Sequence, residues 1–109
     1  MANYVLIESR DPFEYQDVQG FYDLARDLQK AGNKVTFYLV QNGVIPTRRG
    51  SRFERVAELA QAGVSVVADD FSLRERAIPQ AKLHPNVTIS TVDALVDLLV
   101  QDGTKAIWH

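Results

Sequence analysis

The chain contains no cysteine in its 109 residues, and only two histidines, one tryptophan and one methionine. Without cysteine there is no disulfide, no thiolate metal site and no thiol nucleophile. Small secreted proteins usually lean on disulfides, so this absence favours a reducing compartment. Long hydrophobic runs are missing too: nothing approaches the roughly 18 apolar residues of a membrane span. The opening residues, MANYVLIESRD, put no basic segment before their short apolar run, which argues against a signal peptide. A cytoplasmic protein without a membrane partner is the expectation. Charge of one sign is also scarce. Lys and Arg total 12 against 14 Asp and Glu, and a net charge of −2 makes no field that would draw nucleic acid. Neither G-x-x-x-x-G-K-[ST] nor G-x-G-x-x-G occurs, so nucleotide binding has no motif behind it.

What is present is the composition of an ordinary folded domain, 46% hydrophobic and 24% charged. A chain of this length forms one domain and buries roughly 60–70% of its unfolded surface, enough for a core without staples. Tyr4–Ile7 is an apolar run that predicts a buried strand. Asp17 is placed to cap a helix with Phe21, Leu24, Ala25 and Leu28 on one face, stopped by Gly32-Asn33. Val35–Val40 predicts a second strand and Gln41–Gly50 a loop. Ser51 is placed to cap a helix carrying Phe53, Val56, Ala57 and Ala60 inward and ending at Gly63. Val64–Ala68 predicts a third strand, and Ser72 a short helix broken by Pro79. Val87–Ile89 is a fourth strand, Ser90–Asp93 a capping box opening a helix with Leu95, Leu98 and Leu99 inward up to Gly103, and Lys105–Trp108 a fifth strand. This alternation predicts an α/β/α sandwich around a mostly parallel five-stranded sheet. In such sheets ligands sit beyond the carboxyl ends of the strands, which directs attention to Glu8–Gln16, Gln41–Gly50 and Asp69–Arg76.

Those loops hold the chemistry-bearing residues. Arg48, Arg49, Ser51 and Arg52 at a helix start make an anion site or a solvated basic face. Asp69, Asp70 and Ser72 follow the third strand; either acid can serve as ligand, base or metal site, given further ligands such as Glu8, Asp11 or Glu14, or simply cap the next helix. Arg74, Glu75 and Arg76 alternate in sign, as surface ion pairs do. Phe13, Tyr15 and Phe71 wall a pocket, mark an interface or lid the core. His84 and His109 lie away from these loops and are set aside as catalytic groups.

Two segments are organised alike. KVTFYLVQNGVIPTRRG (34–50) and GVSVVADDFSLRERAI (63–78) each run from an apolar stretch through a polar loop into a helix. Together they resemble the DsrE/DsrF family of small sulfur-relay proteins. Such proteins carry v-x-v-F-x-x-x-x-G-V in the first segment and G-V-x-v-x-v-C-x-x-C-x-x-x-R-G-i in the second. With the second G-V on Gly63-Val64, the two cysteine positions fall on Asp69 and Ser72, and R-G-i on Arg76-Ala77-Ile78. The resemblance implies one DsrE-like domain over 1–109. It also implies assembly into homo-oligomers (trimers or hexamers), or with a cysteine-bearing relative. Neither a carboxylate nor a serine hydroxyl forms a persulfide. The expected role is therefore a non-catalytic structural or regulatory subunit, or a small-anion binder, linked to sulfur metabolism, with no cofactor. Its contact residues are expected among Asn42, Arg48, Arg49, Ser51, Arg52, Asp69, Asp70, Ser72 and Arg76. The alternative is a carboxylate-based enzyme, or a small-molecule or metal-binding protein, using Asp69 or Asp70. A response-regulator-like reading would need an acid cluster after the first strand, where only Glu8 and Asp11 come close.

Overall fold

The computed structural model describes residues 1–109. Strands β1 (Asn3–Glu8), β2 (Lys34–Leu39), β3 (Ser65–Asp69), β4 (Thr88–Ser90) and β5 (Thr104–Trp108) alternate with helices α1 (Val18–Lys30), α2 (Arg55–Gln61), α3 (Asp70–Glu75) and α4 (Val92–Leu99). Two 3-10 helices, Gln41–Thr47 and Gln80–Lys82, complete the chain. The five strands form one sheet in the order β4-β3-β2-β1-β5. Every neighbouring pair is parallel, so the sheet is wholly rather than mostly parallel.

Alternation along the strands divides the apolar side chains between two cores. Leu6, Phe37 and Val66 pack on one face with Phe21 and Tyr22 of α1, Val56 and Leu59 of α2, and Leu73 of α3. Val5, Ile7 and Tyr38 pack on the other with Leu95 of α4. Connections thus leave β3 over one face and β4 over the other. That reversal opens a crevice between the carboxyl ends of β3 and β4.

The structure corrects several local expectations. Asp17 does not cap α1, since its side chain accepts no helix amide; it turns to Arg10 and His109 instead. Leu24 is exposed, because the inner face of α1 is centred on Val18, Phe21, Tyr22 and Ala25. Gln41–Gly50 is no plain loop: most of it is 3-10 helix, a form that tolerates Pro46 near its end. Ser51 caps no helix either. Its hydroxyl accepts the Phe53 N–H at 3.2 Å, and α2 starts only at Arg55. At α4 the cap is Thr91, whose Oγ1 accepts the Ala94 N–H at 3.2 Å, and the helix ends at Leu99, before Gly103.

One glycine is required by packing rather than by φ. A Cβ on Gly43 would lie 2.2 Å from the Glu8 carbonyl oxygen, so only glycine lets the 3-10 helix rest on the end of β1.

Candidate functional site: the carboxyl edge of the sheet

β3 ends at Asp69 and the chain turns directly into α3. Asp69 is its cap: Oδ2 accepts the Ser72 N–H at 2.9 Å and the Ser72 hydroxyl at 2.7 Å. Ser72 Oγ accepts the Gln41 N–H at 2.8 Å. This holds Gln41 at φ +52, a left-handed turn unusual for a residue other than glycine. Arg76 donates from Nε to Asn42 Oδ1 at 3.0 Å and from a terminal nitrogen to the Ser72 carbonyl at 3.1 Å. Asn42, Asp69, Ser72 and Arg76 therefore form one network that joins the exit of β2 to the exit of β3. Asp69 and Ser72 are both buried.

Ala77, where the DsrE/DsrF pattern has glycine, adopts φ +54. The left-handed turn is kept without glycine, at a cost of about 1 kcal/mol for the Cβ. Asp70 has a different partner from Asp69, pairing with Arg74 at 3.3 Å across one helical turn. Exposed as it is, such a pair contributes little.

Above this network lies a cleft of about 540 Å³, lined by Val40, Gln41, Asn42, Asp69, Phe71, Ser72, Glu75, Arg76, Val92, Leu95 and Trp108. Phe71, Val92 and Trp108 are 58%, 52% and 62% exposed, a concentration of bare apolar surface at its rim. Phe13 and Tyr15, on the first loop, are also exposed.

The arginine loop lies elsewhere. Because α2 begins at Arg55, Arg48, Arg49 and Ser51 have no helix amides beside them. The chain leaving the 3-10 helix instead pairs antiparallel with the segment after Gln80–Lys82. Arg48 stands opposite Leu83, Arg49 N–H donates to the Lys82 carbonyl at 2.7 Å, and His84 N–H to Thr47 at 2.7 Å. Arg48, Arg49, Gly50 and Ser51 then share a cavity of about 360 Å³ with Ala81 and Lys82, while Arg52 is outside it.

A third cluster was not legible locally. Glu8, at the end of β1, is fully buried. His109, just past β5, places Nδ1 at 2.8 and 2.9 Å from its two oxygens and Nε2 at 3.2 Å from Asp17. The Phe21 ring stacks on the imidazole, centroids 5.1 Å apart. Burial pushes the Glu8 carboxyl above its ordinary 4.5, while the bond to His109 pulls it back. Nothing near His109 in sequence announces this contact; it follows from parallel pairing of β5 with β1, which sets the two strand ends side by side. The acids considered together as metal ligands have other partners: Glu8 takes His109 and the Arg10 N–H, and Asp11 takes the Phe13 N–H at 2.9 Å. No three such side chains converge closely enough to hold an ion. Next to Glu8's end of the core, Tyr22 is wholly buried with an unpartnered hydroxyl, and burial first, then the charge of Glu8, drives its ionisation far up.

Solved structures similar over the whole chain include two of different origin. The YchN protein from E. coli is 19% identical with a TM-score of 0.83, the match covering 98% of this chain and 100% of that one. MTH1491 from Methanobacterium thermoautotrophicum, described as a protein of unknown function, is 23% identical with a TM-score of 0.84 over 100% of both chains. At these identities the likeness shows the fold. No family model and no curated protein sequence matches the chain.

Proposed function

We propose that this protein is a non-catalytic DsrE/DsrF-like subunit, structural or regulatory in sulfur metabolism, assembled with copies of itself or with a cysteine-bearing relative. The observation that carries the reading is the state of Asp69 and Ser72. At the two positions given to thiols in the DsrE/DsrF pattern, the side chains bond to each other and to the backbone of α3 and Gln41. A thiol at such a helix start would be acidified and reactive; a carboxylate there caps the helix. The two positions are thus held by hydrogen bonds where the pattern has thiols. The bare rim of Phe71, Val92 and Trp108 around the cleft supports the assembly part of the reading, because apolar surface so grouped is usually covered by a partner.

Native mass spectrometry of the protein from its own cells tests this. The expected result is a homo-oligomer or a complex with a cysteine-containing partner, with no sulfur retained on this chain. Turnover of a substrate that disappears in Asp69→Asn, a variant that keeps the cap, would overturn it in favour of the carboxylate-based enzyme. A second reading, small-anion binding, is favoured by the cavity of Arg48, Arg49 and Lys82, which no acidic residue lines.

A further inference from the structure

The arginines divide sharply by their company. Arg10, Arg26, Arg55 and Arg74 each meet a carboxylate, and Arg76 is bonded to Asn42. Arg48, Arg49 and Arg52 meet none, nor do Lys30, Lys34, Lys82 and Lys105, and of these Arg48, Arg49 and Lys82 line one cavity. The antiparallel ribbon that joins Thr47–Arg49 to Lys82–His84 sets Arg49 directly across from Lys82. Like charges opposite one another on a ribbon repel, and an anion between them removes that repulsion.

Arg49 also lines a second, larger cavity of about 600 Å³ bounded by α3, the 3-10 helix Gln80–Lys82 and β4. Its walls include Ile78, Pro79, Pro85 and Ile89 beside Arg74 and His84. His84 Nδ1 accepts the Asn86 N–H at 3.2 Å, so in the neutral ring the proton is on Nε2, which leaves that nitrogen as a donor. One arginine thus stands at the junction of a small cationic cavity and a larger, partly apolar groove.

We propose that these two cavities form one binding site for a phosphomonoester, the phosphate held by Arg48, Arg49 and Lys82 and the organic group lying in the groove beside Ile78, Pro85 and Ile89. A doubly charged tetrahedral oxyanion matches a cavity lined by three cations, and a planar guanidinium binds it through paired hydrogen bonds. A free inorganic anion would leave the larger cavity unused. The site rests on the anion-binding reading above and not on the sulfur-relay one. It uses Leu73 and Arg74 of α3, whereas the cleft beside Trp108 uses Ser72, Glu75 and Arg76.

The test is an NMR titration of the folded protein at low salt with inorganic phosphate and with phenyl phosphate. Both probes are expected to shift the amides of Arg48, Arg49, Ser51 and Lys82, and phenyl phosphate alone those of Ile78 and Ile89. Phenyl phosphate is expected to bind at least about tenfold more tightly, and Arg49→Ala to weaken both probes by about tenfold or more. Arg49 is exposed, so this variant should keep the wild-type spectrum outside the loop. If inorganic phosphate shifts nothing on the loop, or binds Arg49→Ala equally well, the anion-binding reading itself fails. If both probes bind with equal affinity and leave Ile78 and Ile89 unmoved, anion binding stands and the phosphomonoester assignment is overturned.

Discussion

Glu8 is the residue whose surroundings depart furthest from what its type prefers. A carboxylate with no exposed surface is tolerated because His109 and the Arg10 N–H satisfy its oxygens, yet desolvation still outweighs them and raises its pKa above 4.5. The sign of the linkage follows. Below the ordinary glutamate value, folded and unfolded chains are both protonated at this position and the penalty for ionisation is absent. As the pH rises through the raised folded value, the unfolded chain ionises more readily, and stability falls. Wild-type stability should therefore decline relative to Glu8→Gln as the pH rises from the ordinary glutamate value through the raised folded one. Urea denaturation of the two proteins across that interval checks it, and parallel curves would show that Glu8 carries no such penalty. Asp69 is a second buried acid, and its oxygen is satisfied by the amide and hydroxyl of Ser72 at a helix start. Both readings of Asp69, ligand and cap, were open in the sequence; its bonds to Ser72 favour the cap.

Among the elements, the 3-10 helix Gln41–Thr47 does the most to shape the site. It carries Gln41 and Asn42 to the Asp69 network at one end and delivers Arg48 and Arg49 to the ribbon at the other. Its seat is Gly43, pressed against the Glu8 carbonyl. Since that neighbour is backbone and cannot swing aside, Gly43→Ala should cost about 2–3 kcal/mol. Gly20→Ala, at a helical glycine with nothing within 4 Å, should instead be neutral or stabilise by about 0.5–1 kcal/mol. Paired urea melts decide, and equal stabilities of the two variants would mean that the 3-10 helix has room to shift. This element was invisible to periodicity because a short 3-10 segment shows no apolar repeat at helical spacing. The longer helices and all five strands were legible, since strands buried on both faces read as continuous apolar runs and the helices carry one apolar side. Cap positions were less so: Asp17 and Ser51 are good capping residues that found other partners, Arg10 and His109 for one and the Phe53 amide for the other.

At the scale of the molecule, the bare side of α4 stands out. Val92, Val96 and Val100 recur every fourth residue and are 52%, 49% and 72% exposed, with Trp108 of the edge strand 62% exposed near the first of them. Under the proposed assembly this face is covered. Val96→Lys would then shift the protein to a smaller species in sedimentation while leaving its circular dichroism unchanged. An unaltered mass would place any interface elsewhere. A valine so exposed contributes little to the monomer, so loss of folding is not expected.

The sequence alone was sufficient for the α/β class, the strand and helix count of the main elements, the parallel sheet and the loops that gather at its carboxyl edge, because these depend on local periodicity and on the handed, short connections of βαβ units. It also named Asn42, Asp69, Ser72 and Arg76 individually. Only the tertiary structure decided that these four form one network, that Arg49 faces Lys82 instead of a helix start, and that His109 reaches Glu8. Each is a contact between strand ends or turns distant in the chain, made by strand pairing and backbone hydrogen bonds that leave no periodic trace in the residues they join.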